Sequence, residues 1–186
     1  MKQKARQILK NDFVKTIVIF LIALAFVGGF WLTLRAALRT EYPLQAVVSE
    51  SMVPTLKVGD LVLVQGVENP YTIKVAPVSG DIIVFRKPSN PDEFIVHRAI
   101  NERVVDGQLF FITKGDNNFS QDPWEVPASN IIGKVAFRPI PYLGYLKIYL
   151  GTPLGMTLIV ILIIFLLILD YVPMTRKKVD PEAKPL

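Results

Sequence analysis

Two stretches of the chain lack any alternation of apolar and polar positions. Thr16–Leu34 (TIVIFLIALAFVGGFWLTL) runs 19 residues without a charge, and Leu154–Leu169 (LGMTLIVILIIFLLIL) runs 16. A helix rises about 1.5 Å per residue, so roughly 20 apolar residues cross a hydrocarbon core of about 30 Å. The first run matches that length. The second reaches it if Tyr171-Val172 is counted past a snorkelling Asp170, or if Tyr145–Thr152 adds an interfacial turn. Neither run has the polar face of a helix packed on a soluble core. A cleavable leader would have a shorter apolar stretch ending in small residues, whereas Ala23-Leu24-Ala25 falls in the middle of the first run. The pattern predicts transmembrane helices within 16–34 and 151–172.

Between them the pattern changes to short apolar runs broken by Gly, Pro, Asn and Asp. LQAVVSES, Val58–Val67, Gly80–Lys87, Glu93–Val105, Gln108–Asp116 and Ile131–Ile140 are rich in Val, Ile and Phe. No stretch here sustains helical spacing. The reading is an all-β domain over 35–150 with six or more strands, coiled or barrel-like. Gly59-Asp60 and Gly80-Asp81 mark turns that open strands. The segment after Pro173 is charged and proline-punctuated, and 173–186 reads as a disordered tail.

Charge adds an orientation. The net charge of the 186 residues is +5. Residues 1–15 carry Lys2, Lys4, Arg6, Lys10 and Lys15 against Asp12, whereas residues 35–150 carry 12 cations and 12 anions. The excess therefore flanks the apolar runs, which argues against nucleic-acid binding. Cations stay on the cytoplasmic side, so both termini are predicted inside and 35–150 outside. Arg35 and Arg39 are a weaker counter-signal. Trp31, Tyr142, Tyr145, Tyr149 and Tyr171 fall near the run ends, where interfacial aromatics collect. With no cysteine and one histidine, the chain has no disulfide, thiol nucleophile or thiolate metal site, and a structural zinc site is disfavoured. No cofactor is called for.

The candidate chemistry lies in SESMVPTL (Ser49–Leu56), just past the first run. A serine hydroxyl attacks a carbonyl only if a neighbouring base takes its proton. The sole histidine is His97, in IVHRAI. Strand alternation puts it on the opposite face from Arg98. A base histidine needs a carboxylate to hold its tautomer. KGDNNFSQDPW (Lys114–Trp124) offers Asp116 and Asp122. Each piece also has an ordinary reading: a structural strand histidine, a Gly/Asn turn, a strand end before proline. On residues alone the chain is a membrane-anchored exported β domain, with serine hydrolysis and non-enzymatic adaptor function both open.

The order of the pieces narrows this. Ser51-Met52-Val53-Pro54-Thr55-Leu56, Gly59-Asp60, Gly80-Asp81-Ile82-Ile83-Val84-Phe85, Val96-His97-Arg98 and Lys114-Gly115-Asp116-Asn117-Asn118 together resemble type I signal peptidases. Histidine before Arg98, where typical bacterial members carry lysine, resembles the ER-type branch of archaea, the eukaryotic endoplasmic reticulum and some Gram-positive bacteria. The resemblance implies a membrane-bound serine endopeptidase that removes signal peptides after small residues on the outer membrane face. It implies Ser51 as nucleophile and His97 as general base. Asp122 is favoured as the partner of His97 and Asp116 as organiser of the loop, with the two roles exchangeable. The branch usually has paired aspartates where this chain reads Gln121-Asp122. Ser49 matches the position of an oxyanion-hole hydroxyl, with the Ser51 N–H as second donor, and Met52 is expected to dip toward lipid. The implied partners are signal-peptide-bearing preproteins, the bilayer and the Sec translocon. A prokaryotic plasma membrane is favoured over an endoplasmic reticulum membrane. The competing reading is a catalytically inactive membrane-anchored β-domain adaptor. Self-cleaving repressor-type peptidases share a related β core but are soluble and use lysine.

Overall fold

The computed structural model describes residues 12–171. The cations Lys2 to Lys10 and the tail 173–186 lie outside the described residues. The first apolar run forms helix α1, Asp12–Leu38, 27 residues and about 40 Å long. It extends four residues beyond the expected run at each end, because Arg35-Ala36-Ala37-Leu38 are good helix formers. It stops at Arg39, whose φ of 50° is left-handed. Among the described residues, Val14–Leu38 is the one helix long and apolar enough to cross a membrane by itself.

The middle region is mainly an antiparallel sheet. Its strands are β1 Leu44–Ala46, β2 Leu61–Gln65, β3 Ile82–Lys87, β4 Asn90–Val105, β5 Gln108–Lys114, β6 Glu125–Pro127 and β7 Ile131–Val135. They lie in the order β1-β2-β7-β3-β4-β5-β6, with β1 and β6 at the two ends. The unbroken run Ile82–Phe85 is explained by burial on both faces. Ile83 and Phe85 join Ile73, Ala99, Leu109, Phe111 and Val126 in one cluster. Val84 joins Val47, Met52, Leu56, Val62 and Val64 in the other. Met52 is 1% exposed, which overturns the expectation that it faces lipid. A thioether so close to the first span fills the core because the Met52–Leu56 turn folds back under the sheet, with Leu56 N bonded to Met52 O at 2.9 Å.

The C-terminal apolar segment differs from the expectation. Leu143–Leu150 is a helix, α2, inside the region read as all β. Its tyrosines and isoleucine are strand formers, and its eight residues are too few to show a helical period. Helix α3, Pro153–Tyr171, follows after Gly151-Thr152, and the two helices meet at 86°. Pro153 has no N–H to continue α2, and Thr152 instead opens α3 by accepting from Gly155 N at 3.0 Å. Among the described residues, the second run expected to span the membrane over 151–172 forms one arm of a bent pair, Leu143–Leu150 with Pro153–Leu166, that is long and apolar enough to cross a membrane when the two arms are taken together.

Candidate active site

Three elements deliver the site. The segment after β1 carries Ser49 and Ser51, β4 carries His97, and the β5–β6 loop carries Asp116 and Asp122. Asn117 N donates to Ser51 O at 2.8 Å and Asn117 Nδ2 to Glu50 O at 3.2 Å, so the loop grips the serine turn by its backbone. This contact requires Gly115. A Cβ there would come within 2.6 Å of Ser51 O, closer than atoms tolerate.

His97 Nε2 lies 3.0 Å from Ser51 Oγ, and its Nδ1 lies 2.7 Å from Asp122 Oδ2. The His97 and Asp122 side chains are 9% and 6% exposed. A carboxylate oxygen beside Nδ1 suits the tautomer with the ring proton on Nδ1, in which the Nε2 lone pair is turned to the serine hydroxyl. Ser49 Oγ lies 3.3 Å from Ser51 Oγ on the other side. Thr113 Oγ1 donates to the same Asp122 Oδ2 at 2.6 Å, and Asp122 N donates to Thr113 O at 2.8 Å. The aspartate is thus fixed by backbone and side chain of one residue.

Asp116 turns elsewhere. It accepts from Arg98 Nε at 2.8 Å and Nη2 at 2.6 Å, a two-pronged pair, and from Thr55 Oγ1 at 2.5 Å. Arg98 also donates to Gly80 O at 2.7 Å. Burial pushes the Asp116 carboxyl up, but the hydrogen bonds from Arg98 and Thr55 and the Arg98 charge outweigh it and hold the group below the usual carboxylate range. The same pairing, opposed by burial, raises Arg98. Adjacent strand residues with opposite faces thus each take one aspartate: His97 takes Asp122 and Arg98 takes Asp116.

The structure brings Ser51, His97, Asp122 and Ser49 into one cluster and places Asp116 beside it. Sequence reasoning missed Thr113 and Thr55. Thr113 had a signal, since it completes the buried stripe Leu109, Phe111, Thr113 of β5, where a hydroxyl needs a partner. Thr55 had none. A cleft of about 410 Å³ opens over the cluster, lined by Ala46, Val48, Ile95, Val96 and Trp124 among others. Among the described residues no group of three or more His, Cys, Asp or Glu side chains could hold a metal ion.

The family model described as signal peptidase, peptidase S26, matches residues 11–101. The chain is 33% identical over 153 residues to the signal peptidase complex catalytic subunit sec11 of Schizosaccharomyces pombe, covering 72% of this chain and 79% of that protein. The chain belongs to the signal peptidase family. A further catalytic subunit of this kind, from Lachancea thermotolerans, is 30% identical over 145 residues, with 71% and 79% covered. Signal peptidase I W of Bacillus subtilis is 32% identical over 90 residues, covering 48% of this chain and 44% of that one. This signal peptidase is of the ER-type branch, and its histidine sits in the stretch that the family model covers.

Proposed function

We propose that this signal peptidase cleaves signal peptides from exported preproteins with Ser51 as nucleophile, His97 as general base and Asp122 as the group that orients His97. The observation that carries the reading is the run of contacts Ser51 Oγ, His97 Nε2, His97 Nδ1, Asp122 Oδ2, at 3.0 and 2.7 Å. Ser51 Oγ bonds to the scissile carbonyl carbon while its proton moves to Nε2. The imidazolium is stabilised by Asp122 and then gives that proton to the leaving amine. Water, deprotonated by the same nitrogen, releases the acyl group. Ser49 Oγ and the Ser51 N–H are the proposed donors to the oxyanion. Asp116 is proposed to act at one remove, by holding the loop that grips the serine turn.

The substrate is proposed to lie extended along the outer edge of β1. Val47 exchanges bonds with the β2 side, Val47 N to Asp60 O at 2.9 Å and Gly59 N to Val47 O at 2.9 Å. By alternation, Ala46 and Val48 turn their peptide groups outward, into the cleft, and offer an edge to an incoming strand. For the membrane we propose that α1 and α3 both anchor the chain, with the β domain on the outer face. The 19 residues of α3 span about 28 Å, and cations flank both apolar runs at the ends away from the β domain, the side that stays cytoplasmic.

The test is cleavage of a preprotein in detergent micelles. The Ser51→Ala variant should lose at least about 10⁴-fold in rate. Turnover near the wild-type rate by that variant would remove Ser51 from the chemistry. An intact protein that never cuts any preprotein would instead favour the adaptor reading.

A further inference from the structure

Helix α2 presents two unlike faces. One face packs on the sheet. Gly144 lies so close to the Gly59–Asp60 backbone that a Cβ would come within 2.3 Å of Asp60 O. Lys147 Nζ, from the same helix, donates to Leu44 O at 2.6 Å and to Gln45 Oε1 at 2.9 Å. The other face is exposed and largely apolar. Leu143, Leu146 and Leu150 are 43, 55 and 40% exposed, and Tyr142 and Tyr149 are 79 and 65% exposed. The tyrosines combine an apolar ring with a polar tip, the chemistry that settles at the boundary between lipid and water. The 86° elbow then fixes the attitude of α2. If α3 runs along the bilayer normal, α2 lies in the plane of the surface.

The Lys147 contact falls on a particular carbonyl. Pro43 O takes Val64 N at 2.9 Å, and Val47 bonds on both sides to the β2 turn. The odd-numbered residues of β1 therefore face β2, and Leu44 O points outward with Ala46 and Val48. Lys147 occupies the first outward acceptor of the open edge. An incoming strand finds free peptide groups only from Ala46 onward, within a few residues of Ser51.

We propose that α2 is seated in the headgroup region of a phospholipid bilayer, and that Lys147 ties the open edge of β1 to it, making Lys147 a positioning residue for substrate register. This rests on the reading that α1 and α3 anchor the chain. The N-terminal end of the edge strand is held twice: five residues separate it from α1, and Lys147 joins it to α2. The depth of α2 in the headgroups then sets the height of the cleft. A substrate whose apolar segment lies in the same bilayer meets that edge at one register and is cut at one bond.

Two measurements test this, and the first does not need catalysis. The chain has no cysteine, so a Tyr149→Cys variant of the full chain can carry one environment-sensitive fluorophore. In vesicles of phosphatidylcholine and phosphatidylglycerol, a quencher fixed near the lipid headgroups should quench it strongly and aqueous iodide weakly. A Val104→Cys control, on the exposed end of β4, should show the reverse. Iodide quenching at position 149 equal to that at 104 overturns the proposal. So does protection from iodide without lipid quenching, which would assign the face to a protein partner. In the second, a preprotein is cleaved in the same vesicles. Lys147→Met should spread cleavage over neighbouring bonds and lower the rate at the main site about tenfold, while Lys147→Arg, which can still donate to Leu44 O, should restore the single cut. Cleavage by Lys147→Met at one bond and the wild-type rate overturns the tie. Failure of the unaltered protein to cut any preprotein would instead sink the proteolytic reading, with the quenching result still standing.

Discussion

Asp116 and Asp122 sit six residues apart in one loop, and chemistry alone makes them equivalent. Their neighbours do not. Asp122 meets a ring nitrogen and a threonine hydroxyl, and Asp116 meets a guanidinium. Substitutions should therefore separate them. Asp122→Asn keeps the shape but offers His97 an amide that favours the wrong tautomer, and a loss of about 10³–10⁴ in kcat is expected with little change in thermal stability. Thr113→Val leaves Asp122 Oδ2 one donor short in a buried site. It should cost about 1–3 kcal/mol in denaturant unfolding and lower kcat less than Asp122→Asn does. His97→Lys should be inactive in a cleavage assay, because a lysine must shed its proton before it can act as base, and the site was shaped for an imidazole. Full activity of that variant would mean the base lies elsewhere.

At the scale of elements, the site depends on a loop that touches the serine turn through backbone. Gly115→Ala puts a methyl group within 2.6 Å of Ser51 O, where only movement of one segment relieves it. The expected result is a folded protein with the cleavage rate down 10²-fold or more, on the order of what an ångström of misplacement does. Near-wild-type cleavage would show that the grip of Asn117 on Ser51 is dispensable. The motif order on the chain marked the segments that meet here, because SMVPTL, VHR and KGDNN each carry a distinctive residue set. It included Thr55 within SMVPTL but not its role, which exists only because the fold brings it to Asp116. Nor could it show α2, whose apolar positions fit a strand as well as a helix until Gly144 is seen to dock on β2's leading turn.

For the whole molecule, the Arg98–Asp116 pair links β4, the β5–β6 loop and, through Gly80 O, the start of β3. Both side chains are largely buried, at 11 and 14% exposure. The folded state holds Asp116 below its ordinary carboxylate range, so the folded state binds its proton less readily than the unfolded chain. That contribution to stability is full above the ordinary range and is lost as pH falls through the depressed value. Asp116→Asn should flatten the acid limb of a stability-versus-pH curve. At neutral pH it should lower stability by about 3 kcal/mol or more, since Arg98 is left buried without a counter-charge. An acid limb as steep as the wild type's would place the responsible carboxylate elsewhere.

The sequence by itself determined the class of molecule: an apolar helix, a β domain, and the residue kinds from which a serine hydrolase site can be made. Periodicity and composition are local, and these features are written in local runs. Tertiary structure alone decided which carboxylate faces the imidazole, that Met52 is core and not membrane contact, and that the second apolar run meets the helix docked on the sheet at close to a right angle. Each of these depends on where distant segments cross, and a pairing between residues dozens of positions apart leaves no trace in either one's own neighbourhood.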